Sequence, residues 1–344
     1  MTIATIGGAG DAGKTTILDL LGKEFAARQK SILNIDANPD QNLLSFAGFS
    51  DDEVAQIPKL CNEFEQVKHI LEGQNPFYAN QDMVVATSPV TKDTLRWSFT
   101  VPDDRITSHF AAHKNGVTYM QTGTYTASDI GTGCLHSKIE NLVFALERLD
   151  DGMAGENGIV LVDQAHGRDA FGTPLYAQGD TLLVVTKPNK KSLDILSEYI
   201  GMADEISRNI GAEVKIGVIG NMVHTPEQEA KIKEAAGEHY LASLFYDPAL
   251  EREDSNTGPQ IDELLQENKQ AIGLVADYVS AATRDWNRRK AWLELCHIKA
   301  DWYDVMYGTE VREQKTDFIV TSDDNGHKQH HVHGPSCKHG CHHH

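Results

Sequence analysis

The residues of this chain that are best suited to chemistry form a glycine-rich stretch near its amino terminus. Residues 8–16 read GAGDAGKTT and contain the pattern G-x-x-x-x-G-K-T. Glycines let the backbone curl, so that successive N–H groups point at the oxygens of a phosphate. This pattern predicts a phosphate-binding loop formed by Gly8, Gly10, Asp11, Ala12, Gly13, Lys14, Thr15 and Thr16.

The elements on either side of this loop are those that such a loop requires. A strand-like run over residues 2–6 precedes it, and a helix-like run over residues 16–21, which should continue to about Arg28, follows it. The helix adds its positive dipole end to the phosphate site. Lys14 is expected to reach the β- and γ-phosphates, and the Thr15 hydroxyl is expected to bind Mg²⁺. A chance glycine-rich turn is the alternative, and the flanking elements disfavour it.

Two further strands are predicted to end in acidic residues. Residues 31–36 form an apolar run that ends at Asp36, and the polar turn over residues 36–43 contains Asn38. Ligand contacts in α/β sheets lie just past the carboxyl ends of strands. We therefore interpret Asp36 and Asn38 as candidate catalytic residues, although the same composition also favours a simple Asx/Pro turn.

The second acidic strand end carries a magnesium candidate. Residues 158–163 are almost continuously apolar and end at Asp163. A buried parallel strand of this kind can hold a carboxylate beside the water shell of Mg²⁺. Asp163 is therefore both a candidate catalytic residue and, with Thr15, a candidate Mg²⁺ ligand. The N–H of Gly167, four residues later, is expected to sense the γ-phosphate.

The alternation of strand and helix patterns predicts an α/β fold. Further strand patterns cover residues 116–121, 180–186, 214–219 and 241–246, and a helix is expected from about residue 137. We predict a doubly wound, mostly parallel sheet in a P-loop nucleotide-binding domain over residues 1–283. Residues 44–116 are long and polar, and we interpret them as insertions over the nucleotide site or at a subunit interface.

A change in composition marks a C-terminal extension over residues 284–326. Residues 284–308 hold three of the four tryptophans of the chain, and Arg288, Arg289 and Lys290 lie among them. Leu295, Ile298, Trp302 and Val305 fit the apolar stripe of a helix. The pattern predicts a helix that packs back on the domain. A helix that binds a partner or a membrane surface is the alternative.

The last 18 residues form a tract rich in histidine and cysteine. They contain eight of the 16 histidines and two of the five cysteines. The tract, residues 327–344, cannot form a core, so it is expected to be disordered, and its side chains suit soft or borderline divalent metals. A cloning tag is the alternative explanation for the tract, but a tag is normally an uninterrupted run of histidines. Whether the last three residues, all histidines, are native or part of a tag is left open. The candidate ligands are His327, His330, His331, His333, Cys337, His339 and Cys341.

Composition limits the other classes of function. The net charge is −19, from 31 basic and 50 acidic residues, which argues against nucleic acid as a partner. No segment has the ~20 apolar residues that span a bilayer, so stable membrane insertion is not expected. A first strand that begins at residue 2 predicts that there is no signal peptide. Five cysteines do not make a disulfide scaffold, so a reducing cytoplasm is the expected location.

Together these motifs resemble the MinD/ParA-like P-loop ATPases. Within that group they are most similar to the carbon monoxide dehydrogenase maturation (CooC-type) ATPases, which support nickel insertion. The resemblance covers about residues 1–283. Besides the loop, it rests on the turn at 36–43, Cys134-x-His136, the segment 163–173, the strand end at 185–188, Asn221 and Tyr246-Asp247-Pro248.

The resemblance implies cofactors, contacts and partners. It implies ATP and Mg²⁺ as cofactors, with adenine contacts from Asn221 and from the backbone near Pro248. It also implies a homodimer with ATP between the subunits. The family binds a metal across that interface through a Cys-x-Cys pair, which here is Cys134 and His136. Two copies would supply a Cys₂His₂ set, which suits Zn²⁺ and could accept Ni²⁺.

Two departures from the family pattern concern hydrolysis. The signature lysine of the family falls at Ala9, and its water-positioning aspartate falls at Asn38. Loss of a transition-state cation typically costs orders of magnitude in rate. We therefore predict ATP binding with weak ATPase activity, slow or dependent on a partner. Asp36 and Asp40 are candidates to replace the aspartate, and Arg168 or Lys190 to replace the lysine.

These observations leave three hypotheses for the function. The first is a nucleotide-gated metallochaperone that serves a client metalloenzyme in nickel insertion. The second is a MinD/ParA-like positioning switch that recruits a partner through the Trp-rich region. The third is a metal-storage protein dominated by its tail.

Overall fold

The computed structural model describes residues 1–71, 85–88, 94–101, 103–131, 133–149, 158–250, 258–299, 319–322 and 328–331. Its centre is an eight-stranded sheet whose inner strands are buried on both faces. The strands are β1 (Thr2–Gly8), β2 (Ser31–Asp36), β3 (Ala111–Lys114), β4 (Val117–Gln121), β5 (Gly158–Asp163), β6 (Thr181–Thr186), β7 (Ile216–Val223) and β8 (Tyr240–Phe245).

The strand order confirms the predicted doubly wound sheet. The order is β3-β4-β2-β5-β1-β6-β7-β8, in which β3 is antiparallel and the others are parallel. β1 lies between β5 and β6, so the chain crosses to both sides of it. The crevice at such a switch point, outside the carboxyl ends of the strands, is where ligands bind in open α/β sheets. The loop at residues 8–13 lies there because it follows β1.

Helices cover both faces of the sheet. One core packs the sheet against the helices over residues 14–27 and 266–280, through residues such as Ile17 and Ile272. The opposite core packs it against the helix over residues 135–147, through Leu142. The helices are α1 (Lys14–Ala27), α2 (Leu43–Phe46), α3 (Asp51–Gln56), α4 (Phe64–Leu71), α5 (Arg105–Phe110), α6 (Leu135–Glu147), α7 (Leu175–Gln178), α8 (Lys190–Ile210), α9 (Pro226–Ala236), α10 (Gln266–Ser280) and α11 (Trp286–Lys299).

The described part of residues 44–116 differs from the insertion that we expected. Val67 of α4 and Phe110 of α5 lie in the same core as α6 and the sheet. Buried Trp97 donates its indole N–H to the carbonyl of Ala145, at 2.7 Å. This region is therefore part of the domain core. The edge strand β3 was not predicted because its sequence, AAHK, is too short and too polar to show a strand pattern.

Helix α11 packs back on the domain through buried arginines. Arg288 donates to the carbonyl of Gly179 at 2.5 Å, and Arg289 donates to that of Leu146 at 2.9 Å. Leu293 is 3% exposed, whereas Leu295 of the expected apolar stripe is only half-buried. The hydrogen bonds of these two arginines thus hold α11 against the domain. This packing disfavours the alternative hypothesis, in which the helix is free to bind a partner.

The C-terminal region contains a pair of short strands. β9 (Ile319–Ser322) pairs antiparallel with β10 (Lys328–His331), which covers four residues of the tract. The backbones of the candidate ligands His330 and His331 lie in β10. Other positions named above fall outside the described residues: Trp302, Val305, His327, His333, Cys337, His339 and Cys341. Within the described ranges, no helix is both long and apolar enough to cross a membrane.

A buried carboxylate on α1 makes stability depend on pH. Asp19 is fully buried, and burial raises its pKa to about 6, although the Lys23 amine, 2.7 Å away, opposes the shift. Because the folded-state pKa lies above the unfolded value of about 3.9, the stabilising contribution is present at low pH and is lost as the pH rises through 6.

An Asp19→Asn variant should therefore gain stability relative to the wild type between pH 4.5 and 7.5, by roughly 2–3 kcal/mol. Urea unfolding at the two pH values measures this difference. Asp277→Asn is the matched control, because Asp277 also pairs with a basic residue but is exposed. A difference for Asp19→Asn that does not change with pH would contradict the assignment.

Candidate functional site

The loop between β1 and α1 is shaped around Gly13. Gly13 is the N-cap of α1 and has a φ of 92°, in the left-handed region. A Cβ at this position would overlap the side-chain nitrogen of Asn221. That nitrogen donates to the carbonyl of Ala12 at 2.8 Å. Asn221, 208 residues later, therefore supports the loop through a contact that requires glycine at 13.

Lys14 lies inside the loop. Its side chain is buried, and its amine donates to the carbonyl of Ala9 at 3.2 Å. Burial lowers the pKa of Lys14, while Asp163, Asp40 and Asp11 oppose the shift. A buried amine with one neutral partner is well placed to bind phosphate oxygens, which would offset its desolvation.

Thr15 and Asp163 form a site that fits Mg²⁺. The Thr15 hydroxyl donates to Oδ2 of Asp163 at 2.6 Å. Oδ1 of Asp163 is buried and has no hydrogen-bond partner among the described residues, and burial raises the pKa of this carboxyl. An unsatisfied buried carboxylate oxygen beside a hydroxyl suits a hard divalent cation. When bound, Mg²⁺ would neutralise charge on the phosphates, with Thr15 and Asp163 as its protein ligands.

Asp36 and Asn38 shape the turn after β2. The two carboxylate oxygens of Asp36 accept the backbone N–H groups of Asn38 and Leu43, at 3.2 and 2.9 Å. Asp36 pairs in register with Asp163, and burial together with that neighbouring carboxylate raises its pKa. Asn38 accepts the N–H of Asp40 at 3.2 Å, so both residues make the Asx-type turn that we weighed as the alternative.

A cavity beside the start of α1 is the candidate site for the nucleobase. Asn221 lines this cavity, and Pro248 begins the turn next to it. His224 stacks on Tyr246 at its edge, with ring centroids 4.8 Å apart. Sequence reasoning missed His224 because no motif contains it. The lining residues are Thr16, Ile17, Asn221, Met222, Leu244, Tyr246, Asp247 and Leu250.

The segment after β5 begins with Gly167. Gly167 has a φ of 63° and opens the turn Gly167–Phe171. Its carbonyl accepts the Tyr199 hydroxyl at 2.8 Å, which anchors the turn to α8. We name residues 163–173 the switch segment.

The two proposed replacement cations are both paired with carboxylates. Arg168 makes two hydrogen bonds to Glu198, at 2.9 and 2.5 Å. The Lys190 amine lies 2.7 and 3.0 Å from the carboxylate oxygens of Asp194. In this conformation both cations are therefore engaged by carboxylates at the protein surface.

Cys134 and His136 form a pair at the start of α6, in which Cys134 is exposed and His136 is half-buried. Cys134 is the N-cap residue, and its sulfur lies 3.5 Å from Nδ1 of His136. Tetrahedral thiolate and imidazole ligands of one Zn²⁺ would be roughly 3.5 Å apart, given their usual bond lengths. The separation of the two atoms therefore matches that of two ligands of one metal ion. Among the described residues, however, no group of three or more His, Cys, Asp or Glu side chains is placed to hold a metal ion.

The imidazole of His136 also contacts the switch segment. A Cβ on Gly172 would overlap Nε2 of His136, so the ring lies directly over Gly172. Nε2 is buried and has no hydrogen-bond partner among the described residues. The sequence motif predicted that Cys134 and His136 lie close together, but the contact with Gly172 joins distant parts of the chain and could not be predicted.

Comparison with known families identifies the domain. The family described as the CobQ/CobB/MinD/ParA nucleotide binding domain matches residues 3–259. The chain belongs to this family. Its loop, Asp163 and the strand order around β1 are thus those of a CobQ/CobB/MinD/ParA nucleotide-binding domain, and α11 follows the matched region.

Two curated relatives share this nucleotide-binding domain. The carbon monoxide dehydrogenase accessory protein CooC of Rhodospirillum rubrum is 22% identical over 251 residues, which cover 72% of this chain and 84% of CooC. An uncharacterised ATP-binding protein of Methanocaldococcus jannaschii is 24% identical over 246 residues, which cover 70% of this chain and 84% of the relative.

Solved structures show the same fold. The ATP complex of McdA from Cyanothece superposes with a TM-score of 0.54 at 16% identity and covers 83% of this chain and 98% of McdA. MinD of Pyrococcus horikoshii in complex with Mg-ADP gives a TM-score of 0.51 at 17% identity, with coverages of 81% and 96%. These likenesses establish the fold of this MinD/ParA-type domain.

Proposed function

We propose that this protein is an ATP-dependent, dimerising accessory protein that carries nickel or zinc during maturation of a client metalloenzyme in the cytoplasm. The observation that carries the proposal is the packing of His136 over Gly172. It joins the Cys134–His136 pair to the switch segment, which begins at the Mg²⁺ candidate Asp163. A rearrangement of the switch segment on nucleotide binding therefore displaces one of the two metal ligands.

The ligand count supports a dimer. One chain supplies one thiol and one imidazole at this position, whereas Zn²⁺ takes four ligands in a closed site. A second copy supplies the other two ligands if the exposed starts of the two α6 helices meet. The similarity to CooC supports the assignment to metalloenzyme maturation, and the tail would collect metal near the site.

ATP hydrolysis by the isolated protein should be slow. Ala9 is buried and provides no cation, and Asn38 cannot accept a proton from water. The carboxylate of Asp36 is held by backbone N–H groups, and that of Asp40 lies near Lys14. We propose that binding of nucleotide, rather than fast turnover, drives the function, and that the client or partner accelerates hydrolysis.

Equilibrium dialysis of the full chain with Ni²⁺ or Zn²⁺, with and without Mg-ATP, tests the proposal. In the wild type, ATP should change the affinity of about one metal ion per dimer by at least tenfold, above a background from the tail that ATP does not affect. Cys134→Ser should abolish the ATP-dependent part. Cys61→Ser is the matched control, because Cys61 is also a free cysteine with some exposure.

A Gly172→Ala variant tests the coupling itself. The added Cβ displaces His136, so metal binding should lose its ATP dependence while the affinity for ATP stays within a few-fold. If metal affinity does not respond to ATP in the wild type, or responds equally in Cys134→Ser, the metallochaperone proposal is wrong.

A positioning switch of the MinD/ParA kind is the second candidate. It is favoured by the fold shared with McdA and MinD and by the exposed side chains of Tyr125 and Ile130, which precede Cys134 and could meet a partner. Recruitment through α11 is disfavoured because Arg288, Arg289 and Leu293 are buried in the domain. Nucleotide-dependent partner binding that is unchanged by metal chelators would favour this candidate. Metal binding confined to the tail would favour the storage hypothesis.

A further inference from the structure

The charges around the phosphate-binding loop are unbalanced. The Lys14 amine is within electrostatic range of Asp163, Asp40 and Asp11, and the carboxyl of Asp36 lies beside that of Asp163. A triphosphate adds several negative charges to this site. Mg²⁺ and Lys14 offset part of them, so binding of the terminal phosphate calls for another cationic or hydrogen-bond-donating group.

His166 is a candidate for such a group. It lies between Asp163 and Gly167 in the switch segment and is exposed. The Cδ2 atom of its ring is 4.0 Å from the position of a Cβ on Gly10, so the imidazole lies alongside the exposed part of the loop. No described residue makes a hydrogen bond or an ion pair with this ring.

Three other basic residues, Arg168, Lys187 and Lys190, lie on the segments that follow β5 and β6. Arg168 and Lys190 are held by Glu198 and Asp194. Lys187 follows β6, the neighbour of β1, and has no ion-pair partner among the described residues, so it serves as the comparison for His166. Within the described ranges, His166 combines a ring that has no hydrogen-bond partner with a position beside Gly10 of the loop.

We propose that the His166 side chain binds the γ-phosphate of the nucleotide and makes the site prefer a triphosphate to a diphosphate. The inference rests on nucleotide binding at the loop, as proposed above, and extends it to the residue that distinguishes the two states. An imidazole N–H donates a hydrogen bond to an oxygen of the γ-phosphate. Because His166 is in the switch segment, this contact pulls that segment toward the loop only when a γ-phosphate is present.

Calorimetric titration of the full chain with Mg-ADP and with a non-hydrolysable Mg-ATP analogue tests the inference. His166→Ala should weaken binding of the analogue about tenfold, the effect of one hydrogen bond to a charged group, and leave ADP binding within twofold. His166→Gln, which retains a donor, should recover part of the loss. Because His166 is exposed, the variants should fold, which circular dichroism checks.

Two matched variants give the experiment its controls. His224→Ala lies at the nucleobase end of the site and should change the affinities for ADP and the analogue by the same factor. Lys187→Ala should leave the preference for the triphosphate intact. The inference would be overturned if His166→Ala lost affinity equally for both nucleotides or lost none. It would also be overturned if Lys187→Ala lost affinity for the triphosphate analogue alone.

Failure of the inference can be told from failure of the proposed function. A wild type that binds neither nucleotide overturns both. If His166→Ala loses affinity for the triphosphate analogue alone, and metal affinity does not change with ATP, the metallochaperone proposal is wrong. The role of His166 in binding the γ-phosphate is then still supported.

Discussion

A Gly13→Ala variant is expected to lose stability and nucleotide binding together. At a φ of 92°, an alanine costs about 1–2 kcal/mol in backbone strain. Its Cβ also overlaps the Asn221 side chain, which must move and give up the bond to the Ala12 carbonyl, at a cost of about 1 kcal/mol. The expected loss in the free energy of unfolding is about 2–4 kcal/mol, measured by urea denaturation.

Other glycines separate the causes of this loss. Gly167 has a φ of 63° but open space around its Cβ position, so Gly167→Ala should show the strain alone. Gly201 lies in the middle of α8 with open space and no positive φ, so alanine there should stabilise the protein by about 1 kcal/mol. If Gly13→Ala raises the free energy of unfolding as Gly201→Ala is expected to do, the loop geometry described above is wrong.

A Lys14→Met variant is expected to lose ATP binding without losing stability. The lysine amine is the charged group aimed at the β- and γ-phosphates, and removal of hydrogen bonds to two charged groups should weaken ATP binding by at least about a hundredfold. Isothermal titration with Mg-ATP measures this loss.

The stability of Lys14→Met follows from the pKa of the lysine. Burial lowers the pKa of Lys14 below its unfolded value, so the charged amine destabilises the fold at neutral pH, and this penalty is relieved only as the pH rises through the lowered pKa. A methionine removes the penalty and keeps most of the volume. The melting temperature at pH 7 without nucleotide should therefore be equal to or above that of the wild type. A clear decrease would show that Lys14 is a structural residue.

Much of the fold could be read from local patterns. The runs that end at Asp36 and Asp163 predicted β2 and β5 to the residue, because strands buried on both faces are continuously apolar. β3 could not be predicted because its four residues are too few and too polar to show a strand pattern. The role of residues 44–116 could not be predicted because their burial comes from packing against α6 and the sheet rather than from their own periodicity.

The buried arginines of α11 show a second limit of sequence reasoning. A basic, Trp-rich segment is typical of a solvated or partner-binding helix. Here Arg288 and Arg289 are buried because the carbonyls of Gly179 and Leu146 accept their hydrogen bonds. Such carbonyls belong to residues more than 100 positions away, so no local pattern reveals them.

The sequence by itself determined the phosphate-binding loop, its Mg²⁺ ligand candidates and the membership of the chain in a nucleotide-binding family, because contiguous residues build the loop and parallel strands bring their carboxyl ends to one edge. Only the tertiary structure decided which charged groups are engaged and which remain available. It paired Arg168 and Lys190 with carboxylates, laid His166 beside Gly10, and placed His136 over Gly172. These contacts join segments that are far apart in the sequence, so the spacing of residues along the chain does not predict them.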